Sequence, residues 1–562
     1  MQTQDTPERQ WKRSETVQHV TDFEVAAREA TSQRAYAREH EVPRTTLQYW
    51  LERKGALDAS PAMVAFFESP DGVAFLHRLT VALQLVITYV GANGLRSTQK
   101  VLELAGLGPF VANSFGSRQK LGRQMEEHIG VFGRQQREEL AAKMAPKQIT
   151  LCEDETFHPA TCLVAIEPVS NYIVVETYAE HRDAASWNAA IKQGLQGLPV
   201  RVLQSASDEG KGLLAHVREG LGAHHSPDLF HAQQELTRAT SVGLCARVRH
   251  AEQAVVAAQA GAQAQRQAEQ SWADTAQGPG RPPNFAARTA EAQAVQFQAQ
   301  EALKEARTQQ ERAQRAIRGI GQVYHPFSLA TGAPQTAAQV TQQLEQHFAD
   351  ISQVAQQASL PIRCLQKIAK AHRLVPALQC TLAFFHEAVQ AQLAQLALPP
   401  AVQCFVEQSL VPAAYLERAA NKAQPADARA PLRERAEQLR TPPEGVAALL
   451  ADMAPAQRTH LDSVVNDCAD LFQRSSSCVE GRNGQLALRH HCLHNLSPSR
   501  LQALSHVHNY FLTRPDGTTA AQRFFGAPPA DLFASLLDHL QMPARPAARR
   551  RPPPAPATSP PC

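Results

Sequence analysis

QITLCEDETF, residues 148–157, opens the part of the sequence that decides the fold. ATCLVAIEPV (160–169) and NYIVVETYAE (171–180) follow it after short turn-like segments. Each run is apolar or alternates apolar with polar residues, a pattern typical of short β-strands. We therefore predict a meander of three antiparallel strands.

The residues after this meander alternate between helical and strand patterns. DAASWNAAIKQGL (183–195) and GKGLLAHVREGL (210–221) are helical. PVRVLQSASDEG (199–210) is a strand that ends in an acid, and HSPDLFHAQ (225–233) contains a further short strand. Three antiparallel strands followed by alternating helix and strand are typical of an α/β domain. The predicted fold class is α/β plus all-α, with a mixed five-stranded sheet.

The region before the sheet is predicted to be helical throughout. Within residues 1–60, TSQRAYAREHEVPRTTLQYWLERK (31–54) predicts two short helices with a tight turn between them, the second capped by Thr45 or Thr46. This is the layout of a helix-turn-helix, whose second helix could enter a DNA major groove; an ordinary helical hairpin is the alternative. Residues 61–147 predict a separate helical domain and a possible second DNA-binding region, with candidate cations Arg96, Lys100, Arg118, Lys120 and Arg123.

Strand patterns nearly vanish over residues 232–460, where we predict an α-helical insertion. Residues 246–318 are rich in Ala, Gln, Glu and Arg and break once, at QGPGRPPNF. The high helix propensity of these residues favours an antiparallel helical hairpin or coiled coil over a disordered linker. Residues 461–540 are predicted to complete the sheet domain and add C-terminal helices. The Pro/Arg-rich tail, 541–562, is predicted to be disordered.

Composition excludes several classes of protein. The 562 residues include 56 Lys and Arg against 53 Asp and Glu, a net charge of +3. This balance excludes a uniformly basic nucleic-acid coat and an acidic disordered chain, but not a local basic groove. With 43% hydrophobic residues the chain can bury a core, and its length predicts three or four domains at roughly 150 residues each.

Cysteine usage and hydropathy indicate the compartment. The ten cysteines include no Cys-x-x-Cys pair, and a long chain does not need disulfide staples, so reduced thiols in the cytoplasm are expected. The N-terminus has no apolar segment typical of a secretory signal. The most apolar stretch, 79–90, is shorter than the roughly 20 residues of a membrane-spanning helix. We therefore predict a soluble intracellular protein.

Three acids take positions that predict a shared site. Asp154 and Asp208 lie at the ends of the first and fourth strands, and Glu480 lies on a helix that resumes after the insertion. Two carboxylates about 4 Å apart repel by about 4 kcal/mol at an effective dielectric constant of about 20, so a cluster of acids favours a divalent cation. Mg²⁺ prefers oxygen ligands, and a pair of such ions stabilises both oxygens that exchange in phosphoryl transfer.

Four segments of the sequence resemble the DDE transposases. More narrowly, they resemble the bacterial transposase-like proteins that carry a large helical insertion before the final Glu. The segments are CEDETF (152–157), SDEGKGL (207–213), PDLFHAQQEL (227–236) and SSSCVEGRNGQLALRHH (475–491). The resemblance covers about residues 148–231 and 463–527, together with the position of the helix-turn-helix. TRPDGTTAAQRFFG (513–526) is similar to the terminal segment of these proteins.

The resemblance implies a ribonuclease H-like catalytic domain. In this interpretation Asp154, Asp208 and Glu480 hold two Mg²⁺ (or Mn²⁺) ions and catalyse DNA cleavage. The Asp-x-x-His element of several relatives falls on Asp228 and His231.

Several alternatives remain open at these positions. A one-residue shift in strand register would bring Glu153 or Glu155 to the metals in place of Asp154. His231 could position a metal-bound water or a phosphate, or be a helix-capping or core histidine. Arg482, half a turn after Glu480, could hold a phosphate near the site.

Basic residues outside the acidic cluster are candidates for DNA contacts. Arg44 and Thr46 lie on the predicted recognition helix. Arg363, Lys367 and Lys370 recur at i, i+4 and i+7 and so share one helical face. Such a face binds a DNA backbone or is simply solvated.

The sequence as a whole predicts a DNA transposase that cleaves and transfers strands at the ends of a mobile element. Its expected partners are element-end and target DNA and further copies of itself in a synaptic complex, with no membrane. The expected location is cytoplasmic, at the bacterial nucleoid. A catalytically inactive, transposase-derived DNA-binding protein is the alternative.

Overall fold

A computed structural model describes residues 11–52, 60–157, 160–275, 281, 283–424, 426–493 and 496–541. The predicted disordered tail, from residue 542 onwards, lies outside the described residues.

The centre of the structure is one mixed five-stranded sheet, as the sequence predicts. Its strands are β1 Lys147–Phe157, β2 Thr161–Glu167, β3 Tyr172–Ala179, β4 Val200–Ser207 and β5 His224–Pro227. They lie in the order β3-β2-β1-β4-β5, with β1, β2 and β3 antiparallel and β1, β4 and β5 parallel. β2 is buried along its whole length, because helices cover both faces of the sheet. The predicted meander and the alternation that follows it are confirmed.

Helices before and between the strands form the first half of the helical structure. Those before the sheet are α1 Arg13–Arg28, α2 Gln33–Glu39, α3 Arg44–Glu52, α4 Pro61–Glu68, α5 Pro70–Leu85, α6 Leu95–Leu104 and α7 Phe115–Ala141. A wider π-helical turn, Val86–Val90, extends α5. α8 Ala184–Leu195 and α9 Lys211–Ala215 connect the strands.

The helices after β5 form the insertion and the C-terminal part. The insertion contains α10 Leu229–Ala273, α11 Phe285–Val323, α12 Ala337–Gln357, α13 Ile362–His372, α14 Val375–Ala394, α15 Pro400–Phe405, α16 Val411–Lys422, α17 Arg429–Arg440, α18 Glu444–Ala451 and α19 Pro455–Asp470. The chain then returns to the sheet with α20 Ser477–Leu493, α21 Pro498–Tyr510, α22 Ala520–Phe525 and α23 Leu532–His539.

The prediction that residues 61–147 form a separate domain is wrong, because part of this region shares a core with the sheet. Its helices form as expected, but Leu85 of α5 and Met125 and Ile129 of α7 belong to the same buried core as the sheet and α20 to α23. α7 alone could not bury this apolar face, so it packs against α21 and α23. Arg118, a predicted DNA-contacting cation, is fully buried and donates to the carbonyl of Ala112.

The helix-turn-helix region has its own small core. Tyr36, Leu47 and Trp50 are buried between the three N-terminal helices, as a tight turn between α2 and α3 requires. The predicted cap is wrong, because α3 begins at Arg44 and both Thr45 and Thr46 lie inside its first turn.

The long hairpin of the insertion is confirmed as two antiparallel helices. Arg307 of α11 pairs with Glu252 of α10 at 2.8 Å, and Gln310 contacts Cys245. The insertion is longer than the predicted 232–460: α10 begins at Leu229, and α19 packs Leu461 and Val465 into the insertion core.

The two ends of the insertion lie together. The backbone N–H of Leu229 donates to the carbonyl of Arg474 at 2.9 Å, and Ser226 Oγ donates to the carbonyl of Gln473 at 3.1 Å. The chain therefore leaves the sheet and returns to it at one place.

One described helix is long and apolar enough to cross a membrane. It runs from Pro70 to Val90, 21 residues. The apolar stretch predicted from the sequence, residues 79–90, therefore covers only the second half of this helix. Leu76, Val81 and Leu85 are buried in two cores. Other apolar side chains of this helix, among them Phe75 and Val86, are exposed.

Candidate active site

The structure brings the three predicted acids to one edge of the sheet. β1 and β4 are parallel neighbours, and Glu153 of β1 pairs with Ser207 of β4. Asp154 and Asp208 come directly after these paired residues, so they lie beside each other at the same edge of the sheet. β1 continues to Phe157, so Asp154 lies within the strand and not at its end. Glu480, in the first turn of α20, completes the group, and the charges of Glu480 and Asp208 both act on Asp154.

Asp154 is the most perturbed of these acids. Its Oδ1 accepts from the backbone N–H of Glu155 at 2.8 Å, and its Oδ2 accepts from Asn483 Nδ2 at 2.9 Å. Burial, reinforced by the negative charges of Glu480 and Asp208, raises the pKa of Asp154 to about 7. The local field therefore disfavours the ionised carboxylate unless a positive charge joins it.

This pKa predicts that Asp154→Asn stabilises the metal-free protein at high pH. The folded-state pKa lies above the ordinary value of 3.8, so the contribution of Asp154 to stability is present below pH 3.8 and is lost as the pH rises through about 7. After discounting for partial exposure, we expect Asp154→Asn to gain about 1–2 kcal/mol at pH 8 and little at pH 4. Urea denaturation in EDTA at both pH values measures this.

Glu209→Gln, at the exposed acid beside Asp208, is the control and should show no such pH dependence. An Asp154→Asn variant whose stability differs from that of the wild type by the same amount at both pH values would contradict the assignment.

Asp228, His231 and Glu480 form a hydrogen-bonded chain. His231 Nδ1 lies 2.9 Å from Asp228 Oδ2, and His231 Nε2 lies 3.2 Å from Glu480 Oε1. The hydrogen bond to Asp228, opposed by burial and aided by nearby acids, raises the pKa of His231 to about 9. His231 is therefore protonated at neutral pH, and both ring nitrogens donate.

Asp228 is anchored more firmly than the sequence predicts. It caps α10 through the N–H of Phe230, and it accepts from the N–H and Oγ of Ser476. Burial raises the pKa of Asp228, but the hydrogen bonds from His231 and Ser476 outweigh it and hold that pKa below its ordinary value. Asp228 thus joins the start of the insertion to the segment before α20.

The two neighbours of Asp154 have other hydrogen-bond partners, although the charge of Asp208 also acts on Glu155. Glu153 is fully buried, accepts from Ser205 Oγ and lies 3.3 Å from His216 Nε2. Glu155 accepts from Trp187 Nε1 at 3.2 Å and pairs with Arg182. Because side chains alternate along a strand, this register leaves Asp154 as the acid of β1 that faces Glu480.

Arg482 does not lie where the prediction of a phosphate contact requires. Its guanidinium donates two hydrogen bonds of 2.6 Å to Glu176, and the two side chains are 4% and 0% exposed. A buried guanidinium already paired with a carboxylate has little capacity left for a phosphate. We therefore correct its role to a structural one that fixes α20 on β3.

The predicted DNA-contacting residues lie in two separate places. Arg44 is exposed and Thr46 half-buried on α3. Arg363, Lys367 and Lys370 form an exposed face of α13. Lys367 Nζ lies 3.6 Å from Glu235, one turn beyond His231 on α10, so this face lies along the helix that begins at the acidic site.

The donor set fits a hard divalent cation. Asp154, Asp208 and Glu480 offer carboxylate oxygens, and within the described ranges none of them is ion-paired with Lys or Arg; His231 alone supplies a cation, to Glu480. Burial, and after it the negative charges of Glu480 and Asp208, raises the pKa of Asp154, and a bound cation would favour its ionised form. Among the described residues, no three His, Cys, Asp or Glu side chains already converge closely enough to hold one ion.

Asn483 and Ser476 are site residues that the sequence interpretation missed. Asn483 donates to Asp154, and Ser476 donates to Asp228. The spacing of Asn483 from Glu480, i to i+3 on a helix, could have indicated a shared face. No local pattern indicates Ser476, because its partner is far along the chain.

A family model matches part of the chain. Residues 406–552 match a family of unknown function, DUF6399. The matched segment includes Glu480 and Asn483 but neither Asp154 nor Asp208. No curated protein matches the chain.

Proposed function

We propose that this protein is a DDE-type transposase that cleaves DNA at the ends of a mobile element and joins the freed 3′ hydroxyl to target DNA. One observation carries the proposal: carboxylates from β1, from the end of β4 and from a helix far along the chain share one edge of the sheet. A mixed five-stranded sheet with acids in these positions supports a ribonuclease H-like catalytic domain.

Asp154, Asp208 and Glu480 are the proposed holders of two Mg²⁺ (or Mn²⁺) ions. When bound, the ions would neutralise charge on the attacking and leaving oxygens of the scissile phosphate. The acids' lack of a Lys or Arg partner within the described residues supports this role, because carboxylates near one another need compensating charge.

His231 is proposed to orient Glu480 and to offer positive charge towards a phosphate. Asp228 keeps it protonated, since the pKa of His231 is raised to about 9. The side chain is 37% exposed, so it can reach a substrate. Asp228 itself is buried and acts through His231.

The proposed partners are element-end DNA, target DNA and further copies of the protein in a synaptic complex. Arg44 and Thr46 of the helix-turn-helix would contact element ends. The hairpin of α10 and α11 is the proposed site of contacts between copies. The proposed location is the cytoplasm, at the bacterial nucleoid.

The basic face of α13 predicts a salt-dependent contribution to DNA binding. Each phosphate contact adds about 0.9 to the slope of log affinity against log salt. Replacing Arg363, Lys367 and Lys370 together with Ala should therefore lower that slope by about 2–3 and weaken binding at low salt. Fluorescence anisotropy over a salt series measures both quantities.

A matched removal of three exposed cations from α11, Arg288, Lys304 and Arg315, is the control for net charge. Equal slopes for the two triple variants would mean that α13 carries no specific backbone contact.

The proposed function is tested by nicking of DNA that carries the sequences on either side of the gene. We expect cleavage with Mg²⁺ or Mn²⁺ and none in EDTA. Binding without cleavage under all metal conditions would favour the catalytically inactive DNA-binding protein. If the wild-type protein neither bound nor cleaved DNA at low salt, both the transposase and the inactive DNA-binding protein would be excluded.

A further inference from the structure

Asn483 shares a helical face with Glu480. The two residues are three apart in α20, and residues at i and i+3 lie one above the other on a helix. α20 packs against β1, so this face is turned towards the strand that carries Asp154.

The amide of Asn483 has a defined orientation. Its nitrogen lies 2.9 Å from Asp154 Oδ2. With Asp154 ionised, as a metal ligand would be, its carboxylate only accepts hydrogen bonds, and the amide nitrogen is the donor that faces it. The second oxygen of Asp154 accepts from the N–H of Glu155 at 2.8 Å. Asn483 and Glu155 together fix both oxygens of this carboxylate.

The amide oxygen of Asn483 is buried and has no hydrogen-bond partner among the residues that the structure describes. Leaving a buried acceptor unpaired costs about 1–3 kcal/mol, and such atoms are rare in native proteins. This atom belongs to the residue whose amide nitrogen holds Asp154. An amide oxygen is also a ligand that hard divalent cations accept.

We propose that Asn483 is a fourth member of the acidic site. Its amide nitrogen positions Asp154, and its amide oxygen is a neutral ligand for the divalent cation or for a water on that cation. This inference rests on the proposed function and adds a metal-site residue that the three-acid motif does not contain.

The test is the affinity of the full-length protein for Mn²⁺ alone, measured by the electron paramagnetic resonance signal of free Mn²⁺ without DNA. Asn483→Leu removes both polar atoms at similar size, and we expect it to lower the affinity about tenfold, the scale of supporting residues at metal sites. Asn483→Asp keeps an oxygen ligand, and its affinity should equal or exceed that of the wild type.

Thermal unfolding separates this role from a merely structural one. In EDTA, Asn483→Asp should unfold at a lower temperature than the wild type, because it adds a fourth negative charge; Mn²⁺ should then raise its unfolding temperature by more than it raises that of the wild type. Gln485→Leu, at an exposed amide on the same helix whose oxygen accepts from Arg482 at 3.3 Å, is the matched control and should bind Mn²⁺ as the wild type does.

The outcomes distinguish the two proposals. If the wild type binds Mn²⁺, Asp208→Asn loses it and Asn483→Leu keeps it, the metal site stands and the role of Asn483 is overturned. If the wild type binds no Mn²⁺, the proposed function fails, and this inference fails with it. Loss of affinity in both Asn483→Leu and Asn483→Asp would overturn the ligand role of the amide oxygen, because Asn483→Asp keeps an oxygen there.

Discussion

Asp208→Asn is expected to lower the rate of metal-dependent DNA nicking by about 10³-fold, a loss of about 4 kcal/mol in transition-state stabilisation. Asp208 lies directly after β4, and its Oδ1 accepts from the N–H of Gly210 at 2.9 Å. An asparagine can occupy this position with the same shape, so the fold should persist. What it removes is one negative charge from the proposed holders of the metal ions.

The neighbouring acid provides the matched control. Glu209 is exposed, and Glu209→Gln removes the same charge from the same turn without touching the site. We expect it to nick DNA at the wild-type rate. Equal cutting by the wild type and Asp208→Asn would show that the active site lies elsewhere, and similar losses in Asp154→Asn and Glu480→Gln would support the three-acid site.

Arg482→Met is expected to lower the free energy of unfolding by about 3–5 kcal/mol, because it leaves the buried Glu176 without its partner. Glu176 is fully buried and accepts from Arg482 and from Ser505 Oγ. Burial raises the pKa of Glu176, but Arg482 outweighs it and holds the pKa below its ordinary value. The stability from this pair is therefore present above pH 4.5, the ordinary value, and lost as the pH falls through the folded-state pKa.

Urea denaturation at pH 7 and at pH 4 tests this prediction. In Arg482→Met the uncompensated Glu176 takes up a proton more readily, so the deficit should shrink at low pH. The double variant Arg482→Met with Glu176→Gln should recover part of the loss at pH 7, since no buried charge remains. If Arg482→Met instead weakened DNA binding and left the stability unchanged, the result would support the phosphate contact that the sequence predicts for Arg482.

The sequence predicts the elements that carry the acids, because each depends on local patterns. Apolar alternation indicates β1, the strand that contains Asp154, and the acid after VRVLQSAS marks the end of β4. The helix at Glu480 follows from its composition. These three positions needed no knowledge of distant contacts.

Other features depend on contacts between distant parts of the chain, and the sequence could not indicate them. Arg482 is two residues from Glu480, so proximity alone suggested the active site; its true partner, Glu176, is on β3. Arg118 was one charge among several on an amphipathic helix, and only the packing of α7 shows that it is buried. The unpaired oxygen of Asn483 can be recognised only once the surrounding atoms are placed.

The meeting of Leu229 with Arg474, and of Asp228 with Ser476, closes the insertion at its base. A segment held in this way can change in length with little effect on what lies outside its base, since doubling a loop adds only about 0.6 kcal/mol of closure cost. Because α14 packs against β5, where His224 contacts Thr381, the exchangeable part of the insertion is the outer end of the α10–α11 hairpin. Relatives could lose, enlarge or replace it over evolutionary time and so acquire new binding partners, while the geometry of the acids stays constant.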